Sequence, residues 1–203
     1  MTPALANEQA WLAGIATGPV KGKLVTWLEA QPRFSAASDT LILRPAIGVQ
    51  IDPATQLLLG YAFIETTPAG QPARREHRVW QQALVRLAGT PGKAVLMSRT
   101  RLEQRRTQGF DDTGWRLRQF LRGQLWLDER WSIIGVSEAF VGLNRTDWGQ
   151  PARLDQVRNF IGVGVPLSNR LTLEAGYLNQ HVVRDGPDAN NHVLNVNLFF
   201  RLG

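Results

Sequence analysis

The 203-residue chain has no cysteine, which removes disulfides, thiolate metal sites and cysteine nucleophiles together. It also lacks any unbroken apolar run of the roughly eighteen residues that a membrane-spanning helix requires. A helical membrane protein is therefore excluded. A β-barrel is not, because barrel strands need apolar residues only at alternate positions and keep average hydropathy near zero. Lysine is scarce as well: of 23 basic residues only Lys21, Lys23 and Lys93 are lysines. The rest are arginines, which favour buried, bidentate pairing with carboxylates because the planar fork stays charged and is weakly hydrated. Histidine is confined to His77, His181 and His192. None has a second histidine at ligand spacing, so no metal, cofactor or catalytic residue is assigned.

What the chain does have is turn chemistry at short intervals. Gly18-Pro19, Asp52-Pro53, Pro68 to Pro72, Gly89 to Gly92, Gln108 to Gly114, Asn144 to Pro151 and Asp185 to Asn190 punctuate segments of roughly ten residues, the length a tilted barrel strand needs to cross a bilayer. No segment keeps a helical period. Eleven strand-like segments begin near Glu8, Lys23, Thr40, Gln56, Arg74, Lys93, Trp115, Trp131, Leu154, Arg170 and Asn191. Single-chain bacterial barrels normally have an even number. The fold expected is all-β, a single closed antiparallel transmembrane barrel of 10–12 strands, with twelve preferred on parity. In the C-terminal half, short connections alternate with long polar ones around Phe110, Trp148 and Pro187. Outer-membrane barrels carry short periplasmic turns and longer external loops in this way.

Alternation along the strands sorts charge onto one face. Arg99, Arg101, Glu103 and Arg105 oppose Leu96, Ser98, Thr100 and Leu102, while Arg116, Arg118 and Arg122 oppose Leu117, Leu121 and Leu125. Successive strand side chains point to opposite faces, so each segment has an apolar side and a charged side. Glu29, Arg33, Arg44, Glu76, Arg78, Glu138, Arg158 and Glu174 extend the charged set to other segments. Placed in a lumen, interleaved Arg and Glu on neighbouring strands satisfy one another through bidentate bonds. Such a network either plugs and rigidifies the barrel or, through its arginine surplus, forms an anion-selective constriction. Trp80, between Arg78 and Gln82, is placed in the lumen against an arginine, and Trp115, Trp126 and Trp131 are placed at the bilayer interfaces.

Several short segments carry a family resemblance. Glu76-His-Arg-Val-Trp-Gln-Gln82, Ser98-Arg-Thr-Arg-Leu-Glu-Gln-Arg105, Trp115-Arg-Leu-Arg118, Ser137-Glu-Ala-Phe140, Gln156-Val-Arg158, Glu174-Ala-Gly-Tyr-Leu-Asn-Gln180 and Asn191-His-Val-Leu194 resemble recurring segments of the bacterial DUF2490 proteins, from about Trp11 to the C-terminus. The resemblance implies an outer-membrane β-barrel and supplies no reaction, substrate or catalytic residue.

The domain reading is a signal-peptide remnant over 1–6, marked by the small-x-small Ala4-Leu5-Ala6, followed by a barrel domain over 7–203. Export to the bacterial outer membrane follows. The expected partners are outer-membrane lipid, small anions and the barrel-assembly machinery during insertion. Nucleic acid is not among them, because the basic residues alternate along strands instead of clustering beside stacking aromatics. Two other classes stand beside this reading. A lipid-modifying hydrolase would need Ser137 or Ser168 within reach of His181 or His192. A soluble ligand-binding barrel would show the same alternation with the faces exchanged.

Overall fold

The computed structural model describes residues 7–203; the expected signal-peptide remnant lies outside the described residues. Among the described residues eleven strands follow one another without a helix: β1 (Asn7–Lys21), β2 (Leu24–Ser35), β3 (Ser38–Asp52), β4 (Thr55–Pro68), β5 (Arg74–Thr90), β6 (Ala94–Thr107), β7 (Thr113–Trp126), β8 (Ser132–Gly142), β9 (Leu154–Pro166), β10 (Leu171–Val182) and β11 (Ala189–Arg201). Sequential strands pair antiparallel, and β1 closes the barrel against β11.

That closure matches the eleven segments read in the sequence and departs from the even number that single-chain bacterial barrels normally have. With eleven strands the first and last run the same way, and β1 and β11 pair in parallel from Asn7↔Asn191 to Thr17↔Arg201. The two ends of the described chain consequently leave from opposite ends of the barrel. Register shifts interrupt four antiparallel ladders, at Pro19/Lys21, Gln50/Asp52, Arg86/Ala88 and Phe140/Val141. Such bulges bend a strand and raise its local twist, which helps a sheet curl shut.

The two ends of the barrel differ. At one end the strands are joined by residues 22–23, 53–54, 91–93, 127–131 and 167–170; at the other the longest connection is 143–153. Gly22 sustains the first of the tight turns with φ +58°, a left-handed conformation that costs glycine little.

Outward-facing positions are apolar along the strands. Leu28, Leu43, Ile47, Leu59, Leu121, Ile133, Ile161 and Leu194 are all exposed. Their immediate neighbours Arg44, Ala46, Leu58, Ile134, Phe160 and Val193 are buried. A water-soluble barrel keeps its large apolar side chains inside. Here the outside is the apolar face, as lipid requires, so the soluble alternative fails.

The inside is mixed rather than uniformly charged. One apolar cluster joins Val25, Ile42, Leu58, Ala62, Ile64 and Trp80, from β2 to β5. Another joins Trp11, Ile134, Phe160, Leu178 and Val193 across β1 and β8–β11. Charge fills the space between these clusters.

Candidate functional site in the barrel interior

Strand register explains which charges meet. Glu103 on β6 lies opposite Trp80 on β5 and Arg116 on β7. Arg101 lies opposite Gln82 and Arg118, Glu29 opposite Arg44, and Glu138 opposite Arg158. Directly opposed residues on one face sit close enough to interact, and diagonal neighbours are within reach of long side chains.

A continuous network results. Glu76 receives hydrogen bonds from Arg78 at 2.8 and 2.9 Å and from Arg105 at 2.6 and 3.2 Å. Arg78 also approaches Glu103 at 3.8 Å. Arg116 donates twice to one Glu103 oxygen, at 3.0 and 2.6 Å, and Arg118 donates to the other at 2.7 Å. Arg118 then reaches Glu138 at 3.1 and 2.8 Å, where Arg99 joins at 2.7 Å. Two pairs stand nearby: Arg44–Glu29 at 2.5 Å, with Trp27 also donating to Glu29, and Arg122–Glu174 at 2.6 and 2.9 Å. Of the charged residues singled out in the sequence, Arg33 and Arg158 are the two outside any ion pair among the described residues. Arg33 donates to Gln31 at 3.1 and 2.6 Å.

The centre of the network is dry. The side chains of Arg101 and Glu103 are each 1% exposed. Ion pairs hidden to this degree survive because each carboxylate is shared by several charge-assisted bonds. Aromatic rings fill what charge does not. Arg101 lies over Trp80 at 4.1 Å, Arg118 over Phe140 at 4.5 Å, and Arg99 over Phe120 at 4.1 Å. Trp80 sits under Gly60, where any Cβ would lie 2.2 Å from the indole.

The long connection 143–153 closes the mouth above Arg105. Gly149, with φ +94°, turns the chain, and Gln150 enters the interior with 4% exposure. Its amide accepts from Arg105 at 3.0 Å and donates to the backbone carbonyls of Trp115 and Asn144. Trp148 lies over the Arg105 guanidinium at 4.9 Å. Gly114 makes room for both, since a Cβ there would lie 2.5 Å from the Trp148 ring and 2.8 Å from the Gln150 carbonyl oxygen.

Toward the other end lies a cavity of about 370 Å³. Arg33, Arg44, Arg99, Arg118, Arg122 and Arg158 face it, against Glu29, Glu138 and Glu174.

Sequence reasoning collected charged side chains and so missed the neutral amides. Gln31, Gln82, Gln156, Gln180, Asn191 and Asn195 are buried on the same inward parity. Gln82 accepts twice from Arg101, and Gln180 bridges Gln156 and Asn191. Trp11 was also missed, although it is 3% exposed and anchors two arginines; it lies on the segment whose alternation is weakest. Trp115 and Trp131 are exposed at strand ends, whereas Trp126 lines the inside with Gln124 and Val95. Its even-numbered parity, shared with Arg116, Arg118 and Arg122, carries it inward, which corrects the interface placement.

The histidines lie elsewhere. His77 meets Tyr61 and His192 meets Tyr177 on the outer surface. His181 meets Asn190 at 3.0 Å and Asp188 at 3.2 Å. No hydrogen bond among the described residues joins His181 or His192 to Ser137 or Ser168, the contact a hydrolase would need.

An apolar exterior, a closed strand ladder and a polar, stacked interior define a porin-like barrel of the outer-membrane type. The solved KdgM porin is similar in fold, with a TM-score of 0.52 at 6% identity, covering 82% of this chain and 81% of that one. The KdgM porin in complex with disordered oligogalacturonate matches equally well, at 7% identity and the same TM-score. The chain belongs to the family described as "Protein of unknown function (DUF2490)", whose model matches residues 8–191. An uncharacterized protein of Methylorubrum extorquens is 38% identical over 202 residues, covering 96% of this chain and 88% of that one.

Proposed function

We propose that this is a small barrel of the bacterial outer membrane, exported through a signal peptide, whose Arg/Glu network holds the interior shut at rest. Outer-membrane lipid covers the apolar exterior, and insertion proceeds through the barrel-assembly machinery, as for other barrels with this design. The short turns face the periplasm and the 143–153 connection faces outward. The observation that carries the closed reading is the dryness of Arg101 and Glu103, each 1% exposed. Residues lining a water-filled pore would be wetted along its length.

A second reading rests on the surplus of interior arginine over glutamate. When the network parts, the exposed guanidiniums favour anions, making a narrow anion-selective path. The KdgM porin solved with oligogalacturonate is compatible with such a role for this barrel shape, although fold likeness alone carries no ligand.

Planar-bilayer recording on protein whose folding is verified by heat-modifiable migration tests both readings. The closed reading expects no steady conductance. Brief anion-preferring openings, made more frequent by Glu103→Gln, would establish the gated path. Steady conductance from the unmodified protein would overturn the closed state.

A further inference from the structure

Among the described residues most interior arginines make an ion pair, but two that face the cavity do not. Arg33 and Arg158 converge on one indole: their guanidinium carbons lie 3.8 and 4.7 Å from the Trp11 ring. Arg158 also lies over Phe140 at 4.5 Å. Its Nε is buried without a hydrogen-bond partner, as is the Nε of Arg99 beside the same cavity. The nearest carboxylates are already engaged, Glu138 by Arg99 and Arg118, Glu29 by Arg44, and Glu174 by Arg122. Holding a guanidinium half out of water with no carboxylate in ion-pair contact is unfavourable. Cation–π stacking offsets only part of that cost. Both arginines therefore line a half-open space whose wall carries six arginines against three glutamates.

One part of the cavity wall is apolar, while Gln31, Gln82, Asn195 and Asn197 add neutral amides to its charged part. Ile15, Phe160, Leu178 and Phe199 supply the apolar part. At about 370 Å³ it falls within the ~300–1,000 Å³ range of small-molecule sites. An inorganic ion would leave most of that volume unfilled and the apolar wall without contacts.

We infer that this cavity binds an organic anion, with a carboxylate or phosphate head held by Arg33 and Arg158 and an apolar body against Phe160, Leu178 and Phe199. A guanidinium fork matches either headgroup through paired N–H donors, and Trp11 fixes the fork from behind. The inference rests on reading the barrel as closed, because a closed barrel retains a ligand that an open one would pass.

Calorimetric titration of the full chain in detergent, with 3-phenylpropionate and phenylphosphate as probes, tests this. Saturable binding of at least one anion is expected, about tenfold or more tighter than neutral 3-phenylpropanol, given the strength of charge-assisted hydrogen bonds. Inorganic phosphate alone is expected to bind more weakly than phenylphosphate, and the ranking of the two phenyl anions identifies the headgroup. Arg33→Gln and Arg158→Gln are each expected to weaken the better anion about tenfold. Phe199→Trp, which leaves both arginines in place and fills the apolar end, is expected to weaken both phenyl anions and spare inorganic phosphate. Equal binding of the alcohol, no saturable binding of either anion, or indifference to Phe199→Trp would overturn the site. Conductance on the same preparation separates the failures: a silent barrel that binds nothing loses only the ligand site, whereas a steadily conducting one loses the closed state.

Discussion

Glu103 accepts hydrogen bonds from Arg116 and Arg118 and lies within 3.8 Å of Arg78 and 3.7 Å of Arg101. One buried carboxylate is thus shared by four guanidiniums, two of which, Arg78 and Arg118, also pair with Glu76 and Glu138. Replacing it by an amide keeps the size and one acceptor but removes the charge. The arginines then face one another with reduced screening, and breaking a buried ion pair on one side typically costs about 3–5 kcal/mol. Glu103→Gln is expected to destabilise the barrel by an amount in that range, measured by urea unfolding in phospholipid vesicles. The exposed pair Arg75–Glu65 provides the contrast, with side chains 52% and 31% exposed. Glu65→Gln should change stability by no more than about 1 kcal/mol. Equal effects from the two substitutions would show that the interior network contributes no more than surface ion pairs do.

At the scale of the strand, the ladder that closes the barrel differs from the other ten. Parallel pairing is slightly less stable per residue than antiparallel pairing, and the β1 side of this seam is rich in small residues, with Ala10, Ala13, Gly14 and Ala16. β5 and β6, by contrast, pair antiparallel and share the centre of the charged network. Hydrogen exchange measured by mass spectrometry in lipid is expected to be faster for amides of the β1–β11 seam than for those of β5 and β6. Equal protection would mean that the seam closes as firmly as the antiparallel ladders. Strand parity is also where the general rule for bacterial barrels misled. All eleven segments were legible as strand-length runs between turns, but the preference for an even count came from other barrels and not from any residue here. Connection 143–153 was legible as a long loop, yet the entry of Gln150 was not. It depends on the missing side chain at Gly114, which lies some 36 residues earlier in the chain and beside the loop only after β7 and β8 have paired.

For the molecule as a whole, the decisive property is which face of the sheet meets lipid. Period-two alternation identifies two faces but is blind to their direction, because a soluble barrel turned inside out has the same pattern. The alternation of short and long turns and the family resemblance supplied the direction, and inside the barrel opposed arginines and glutamates neutralise one another, as Glu29 and Arg44 do. What stayed hidden was the division of the interior into apolar clusters and a charged core, since that depends on strands far apart in sequence, such as β1 and β8, which meet only across the barrel. Adjacent residues on β9 test the assignment of faces. Ile161 is 63% exposed near the middle of its strand, while Phe160 is buried at 8%. On a water-exposed surface Ile161→Arg would change stability by about 0.5 kcal/mol at most. On a lipid face at mid-bilayer, the same substitution costs about 2–4 kcal/mol. The larger loss is expected in vesicle unfolding, and it should shrink for an arginine placed nearer the end of the strand, at Leu154, because the penalty falls toward the interface. A uniform small effect at both positions would place the apolar face in water and remove the membrane reading together with the functions built on it.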